Sequence, residues 1–170
     1  MMLEVIKKRR SIRKYQSRPV EEEKIESILR SAMYSPSARH TRVWEFIVVT
    51  DKKKIKKLGE MKPYSVHVKT APVVIVVCSK EWQYWLEDAS IVAENICLEA
   101  TNQGLGTCWT QIRGSSTYDG GDPESYIREI LDIPDEIRVL CMMPIGYPDE
   151  DLPEHQESEF EEKKIHKDGW

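Results

Sequence analysis

Arg9-Arg10-Ser11-Ile12-Arg13 follows the short amphipathic stretch that opens the chain, and it gathers three guanidiniums and a hydroxyl within five residues. Arginine presents forked donors that match phosphate oxygens, and serine adds a short donor that can close a cradle around an anion. Alone, the run also has the form of a solvated helix C-terminus carrying cations for its dipole. Two stretches downstream set it in context. The first is Pro36-Ser37-Ala38-Arg39-His40-Thr41-Arg42-Val43-Trp44; the second is Gly104-Leu105-Gly106-Thr107-Cys108-Trp109.

Around these stretches the composition is that of one soluble domain. The 170 residues are enough for a real core, with 40% apolar and 32% charged side chains. A net charge of −4 argues against nucleic acid as the main partner, although Lys7 to Arg18 is basic and Asp149 to Glu162 acidic. No apolar run reaches the roughly 18–20 residues of a membrane helix, and Met1-Met2-Leu3 leads into the amphipathic pattern without a signal-peptide core. Cys78, Cys97, Cys108 and Cys141 form no C-x-x-C pair and lie in apolar segments. They read as buried free thiols rather than zinc ligands, and a cytoplasmic location is expected.

The pattern divides into elements. Leu3, Val5 and Ile6 open a helix ending near Arg10. After Ser17-Arg18-Pro19, acidic Glu21-Glu22-Glu23 starts a second helix, whose stripe Ile25, Ile28, Leu29, Ala32 and Met33 faces the core. Pro36 ends it. Glu45 to Thr50 predicts a strand, and Asp51 caps a lysine-rich helix to about Met61. The apolar run Pro72 to Cys78 predicts a central strand. Trp82 to Gln103 predicts the longest helix, with Trp85, Ala89, Val92, Ala93, Ile96 and Ala100 apolar and Gly104 as its C-terminal cap. A strand over Thr107 to Ile112 and a loop through Gly120-Gly121-Asp122 come next. A helix from Pro123 to Leu131 and a strand from Ile137 to Ile145 complete a sheet covered by helices, of α+β class. There is no internal repeat.

In this order the three quoted stretches resemble the FMN-dependent nitroreductase family, from about Met1 to Pro148. The resemblance implies a central, mostly antiparallel sheet flanked by helices. It divides the chain into an FMN-binding domain, 1–148, and a C-terminal arm, 149–170, packing on the partner subunit. Arg9 and Ser11 would hold the flavin phosphate, Arg10 the phosphate or ribityl, and Arg13 the pyrimidine edge of the ring. The family's P-S-x-x-N-x-Q-P-W is kept here at Pro36, Ser37 and Trp44, with His40, Arg42 and Val43 substituted. Pro36, Ser37, Ala38 and His40 are therefore candidates to reach the flavin of the other subunit, with His40 as a plain surface histidine the alternative. Trp109, Thr110 and Gln111 would touch the ring largely through backbone, with Trp109 as a core residue the alternative; Tyr64 and His67 are further candidates by spacing. The C-terminal base common in relatives is replaced by Glu157-Ser158-Glu159-Phe160, with Lys163 or Lys164 nearby.

The implied activity is hydride transfer from NAD(P)H through FMN to an electron-poor small molecule, such as a nitroaromatic or quinone. It would proceed by a ping-pong mechanism in a homodimer with FMN at the interface. No side chain need act as nucleophile or base, because the cofactor carries the chemistry. Two other readings stay open. One is a flavoprotein of the same fold that fragments flavin or dehalogenates a substrate. The other is a non-enzymatic polyanion-binding module, for which only Tyr15 interleaves with the basic run.

Overall fold

A computed structural model describes all of residues 1–170. Its elements, in chain order, are α1 (Met2–Lys8), α2 (Glu22–Met33), β1 (Trp44–Val49), α3 (Lys52–Glu60) and β2 (Val73–Lys80). There follow α4 (Trp85–Asn102), β3 (Gly106–Thr107), β4 (Thr110–Gln111), α5 (Pro123–Leu131) and β5 (Ile137–Gly146). The strands form one antiparallel sheet in the order β1-β2-β5-β3, with β4 also on β5.

β2 explains the layering. Its side chains alternate between two cores: Val73, Ile75 and Val77 face α2 and α4, whereas Val74, Val76 and Cys78 face α3 and α5. A strand buried on both faces must be apolar throughout, as this one is. The longest helix, α4, buries Trp85, Ala89, Val92, Ala93, Ile96 and Ala100. It ends where expected. Gly104 takes φ +73°, Gly104 N donates to Thr101 O (3.0 Å) and Leu105 N donates to Ala100 O (2.8 Å), which together make a Schellman stop. Asp51 caps α3 through Lys53 N (2.8 Å) and Lys54 N (2.9 Å), and Asp122 caps α5 through Ser125 N (2.9 Å).

Three expectations need correction. The helical stripe of α2 stops at Ala32, and Met33 is exposed because the helix ends beside solvent there. α4 begins at Trp85 rather than Trp82, since Tyr84 has left helical geometry. The single strand over Thr107 to Ile112 is two short pieces. Thr107 pairs with Ile145 and Thr110 with Met142, so Cys108 would stand opposite Pro144. Proline has no N–H to give, and the ladder breaks at that point.

The basic segment is laid along β3. Ser11 and Thr107 form a parallel bridge, and Ile12 N donates to Thr107 O at 3.0 Å. Tyr15 Oη then donates to Ile12 O (2.6 Å) and Pro144 O (3.3 Å), closing the turn. Ile12 lies directly on Gly106, where an added Cβ would fall 2.6 Å from Ile12 Cβ. Gly106→Ala is accordingly expected to destabilise the fold by about 1–3 kcal/mol through overpacking. Denaturant unfolding measures this, and an unchanged midpoint would contradict the close approach.

Candidate active-site cleft

A cleft of about 620 Å³ opens where the basic segment, the 3-10 turn Pro63–Thr70 and the broken strand meet. It gathers four of the residues expected at the site, Arg13, Trp109, Thr110 and Gln111, together with Tyr64 and His67. Trp109 indole Nε1 donates to Gln111 Oε1 (2.7 Å), and Gln111 Nε2 donates to Arg113 O (2.7 Å). The Gln111 side chain is thus committed within the protein. His67 Nε2 lies 3.0 Å from Thr110 Oγ1, which fixes the ring against the cleft wall.

Arg9, Arg10 and Ser11 share the segment but do not line the cleft. Arg10 donates to Pro153 O, and Arg9 is held only loosely, with Nε 3.9 Å from Glu94 and Nη2 3.5 Å from His155 Nε2. Pro36, Ser37, Ala38 and His40 stand elsewhere, before β1. Ala38 N donates to buried Asp88 Oδ1 at 2.9 Å, and Arg42 N donates to Ser37 Oγ at 3.0 Å. This loop carries left-handed backbone at Arg39 (φ 54°), His40 (φ 57°) and Arg42 (φ 50°), conformations that non-glycine residues adopt at a cost. The His40 side chain is exposed, and Trp44 is buried in the core on the α4 side.

The acidic tail lies along the basic segment of its own chain. Asp149 N donates to Lys14 O (2.9 Å), His155 N donates to Lys7 O (2.9 Å), and Glu150 Oε1 accepts from Arg13 N and Lys14 N. Lys7 pairs with Glu157 at the far end. Lys163 and Lys164 both pair with Glu161, away from the cleft.

Sequence reasoning missed Lys62, Cys108 and Ser115, which also line the cleft. Lys62 sits at the end of a lysine-rich run and Cys108 reads as an ordinary core thiol, so neither announces itself. With them in place the electrostatics become one-sided. Arg13 and Lys62 are cations, and no aspartate or glutamate lines the cleft, although the chain as a whole is acidic. Such a surface suits an anionic or electron-accepting ligand.

His67 responds to the same field. Burial lowers its imidazole below the ordinary 6.5, and the Arg13 guanidinium lowers it further, against a hydrogen bond to the Tyr64 backbone that raises it. The unfolded chain therefore takes up this proton first. The stability that neutral His67 contributes is present above the ordinary histidine range and is lost as pH falls toward the folded value. In an NMR titration His67 should show a midpoint below 6.5, and Arg13→Gln should move it up. A midpoint indifferent to Arg13 would contradict their proximity.

Comparison with known proteins gives the family and the fold. The profile of the Nitroreductase family matches residues 6–66 and 60–147. A Methanothermobacter thermautotrophicus protein, provisionally named NADH dehydrogenase/NAD(P)H nitroreductase, is 41% identical, with 99% of this chain and 87% of that protein covered. The structure of an FMN-dependent nitroreductase from Clostridium difficile superposes with a TM-score of 0.95 at 40% identity, covering 99% of both chains. Iodotyrosine deiodinase of Nematostella vectensis is 30% identical over 86% of this chain and 66% of its own length. The chain belongs to the nitroreductase family, and its antiparallel sheet flanked by helices is that family's α+β fold.

Proposed function

We propose that the cleft binds FMN and that the protein is an NAD(P)H-dependent flavin oxidoreductase acting on an electron-poor small molecule, such as a nitroaromatic or a quinone. The observation that carries this reading is the lining: two cations, no carboxylate, and the stretch from Trp109 to Gln111 along one side. These residues fit a flavin, whose reduced ring is anionic and needs a cation nearby. FMN, when bound, supplies a two-electron relay that takes hydride from NAD(P)H and passes it to the acceptor in ping-pong order.

The chain's own residues bind and orient. Arg13, directed into the cleft, charges the ring site, and Trp109, Thr110 and Gln111 form its wall. Arg9, Arg10 and Ser11 lie on the adjoining stretch and take the phosphate end. Arg9 suits this because its pairing with Glu94 is long and solvent-screened, so an incoming phosphate competes easily. Pro36, Ser37, Ala38 and His40 serve a second copy's flavin, with Asp88 holding their loop. A homodimer is further supported by exposed Met2, Leu3 and Ile6 on α1 and Ile91 on α4, and by Phe160, Ile165 and Trp170 at the arm's end. These apolar groups remain exposed on the single chain.

The likeness to iodotyrosine deiodinase favours a second reading, reductive dehalogenation in the same cleft. Rapid oxidation of NAD(P)H with quinone or nitroaromatic acceptors distinguishes the first from the second.

The protein should purify yellow or turn yellow with added FMN. Arg9→Ala should weaken FMN binding by about 1.5–3 kcal/mol, the loss of one charge-assisted hydrogen bond. Arg13→Ala should in addition lower the flavin's reduction potential. A colourless protein indifferent to FMN in calorimetry would overturn the reading, and unchanged affinity and potential in both variants would overturn these roles. Deleting residues 160–170 should loosen the dimer and release FMN together, as followed by sedimentation and flavin fluorescence. A monomer with full FMN occupancy would contradict an interface site.

A further inference from the structure

Lys62 is fixed in place along its whole length. Its backbone N–H donates to Ser65 Oγ (3.1 Å), and Ser65 Oγ donates to Lys62 O (2.7 Å) from a fully buried position. Tyr118 N donates to Met61 O (3.1 Å) and ties the neighbouring loop to the same point. At the other end, Nζ donates to Gln111 O and to Ser115 Oγ (2.7 Å). Both acceptors are neutral. An ammonium has three donors, so one remains for a ligand.

This arrangement is costly for the protein alone. The residue is almost fully buried, no carboxylate lines the cleft to balance it, and burial lowers its pKa below the ordinary lysine value. Nor does His67 supply charge, being held toward its neutral form by burial and by Arg13. The cleft's positive charge therefore comes from Arg13 and Lys62.

We propose that Lys62 is a flavin-binding residue that joins Arg13 in supplying the positive charge required by the reduced ring, and so helps set the flavin's potential. This rests on the FMN reading above. The physical reason is differential binding: a fixed cation attracts the anionic reduced ring more than the neutral oxidised one, which makes reduction easier. By linkage, flavin reduction must then hold the lysine proton more tightly.

The test uses the full-length, FMN-loaded protein. Dissociation constants for oxidised and reduced FMN are measured anaerobically in wild type, Lys62→Gln and Lys62→Arg. Glutamine keeps hydrogen-bond donors for Gln111 and Ser115 but removes the charge. Lys62→Gln should weaken reduced FMN about tenfold more than oxidised FMN, the scale of a charged hydrogen bond, with a matching fall in midpoint potential. Lys62→Arg should restore most of the difference. An unchanged ratio in Lys62→Gln would overturn the proposal and leave only a structural brace. Should Lys62→Gln not fold, the wild type still decides: its Lys62 Cε resonance should titrate at higher pH with reduced than with oxidised FMN, and equal midpoints would overturn the proposal. A wild type that binds no FMN overturns the flavin reading itself, a result distinct from either.

Discussion

The contact between Ile12 and Gly106 sets the basic segment against the sheet and so places Arg13 at the cleft. The segment after α1 has no periodicity of its own, yet it is held against β3 because Ile12 N reaches Thr107 O and its side chain covers a glycine. Only a residue without Cβ lets the two backbones come so near. Tyr15 closes the turn from beneath, with its phenol pushed up in pKa by burial and kept protonated as a donor. Between these two anchors Arg13 is turned into the cleft. The same bridge leaves the segment's other edge free, and the tail pairs with it at Arg13 and Lys14 and with the end of α1 at Lys7.

Charge is sorted by this arrangement. The acidic tail meets the basic run outside the cleft, where ion pairs such as Lys7 with Glu157 are exposed to solvent and the backbone hydrogen bonds hold the tail in place. Inside, no carboxylate lines the cleft beside Arg13 and Lys62, and Glu150 is held at the backbone of Arg13 and Lys14. A chain of net charge −4 thus presents a positive cleft, and the sorting follows from where the tail runs rather than from composition.

Helices were the most legible part of the sequence. Asp51 announces its helix because a capping carboxylate acts within three residues, and the α4 stripe is legible because burial repeats with the helical period. Met33 fits that period in α2 but falls at an end where there is nothing left to cover it. The break between Thr107 and Thr110 was hidden because its cause, Pro144, lies in another strand. Of the residues that line the cleft, Arg13 and Trp109 to Gln111 could be named from motif resemblance. Lys62 could not, since lysines crowd the preceding helix and its partners, Gln111 and Ser115, lie 49 and 53 residues away. Asp88 was hidden for the same reason, being joined to Ala38 only by the fold.

The central claim is that the cleft bounded by Arg13, Lys62 and Trp109 to Gln111 is where flavin binds. A crystal structure of the protein loaded with FMN tests it most directly. The account predicts the ring in this cleft within hydrogen-bonding distance of Arg13, with the phosphate toward Arg9 and Ser11. Flavin density at any other surface, with the cleft filled only by solvent, would contradict it.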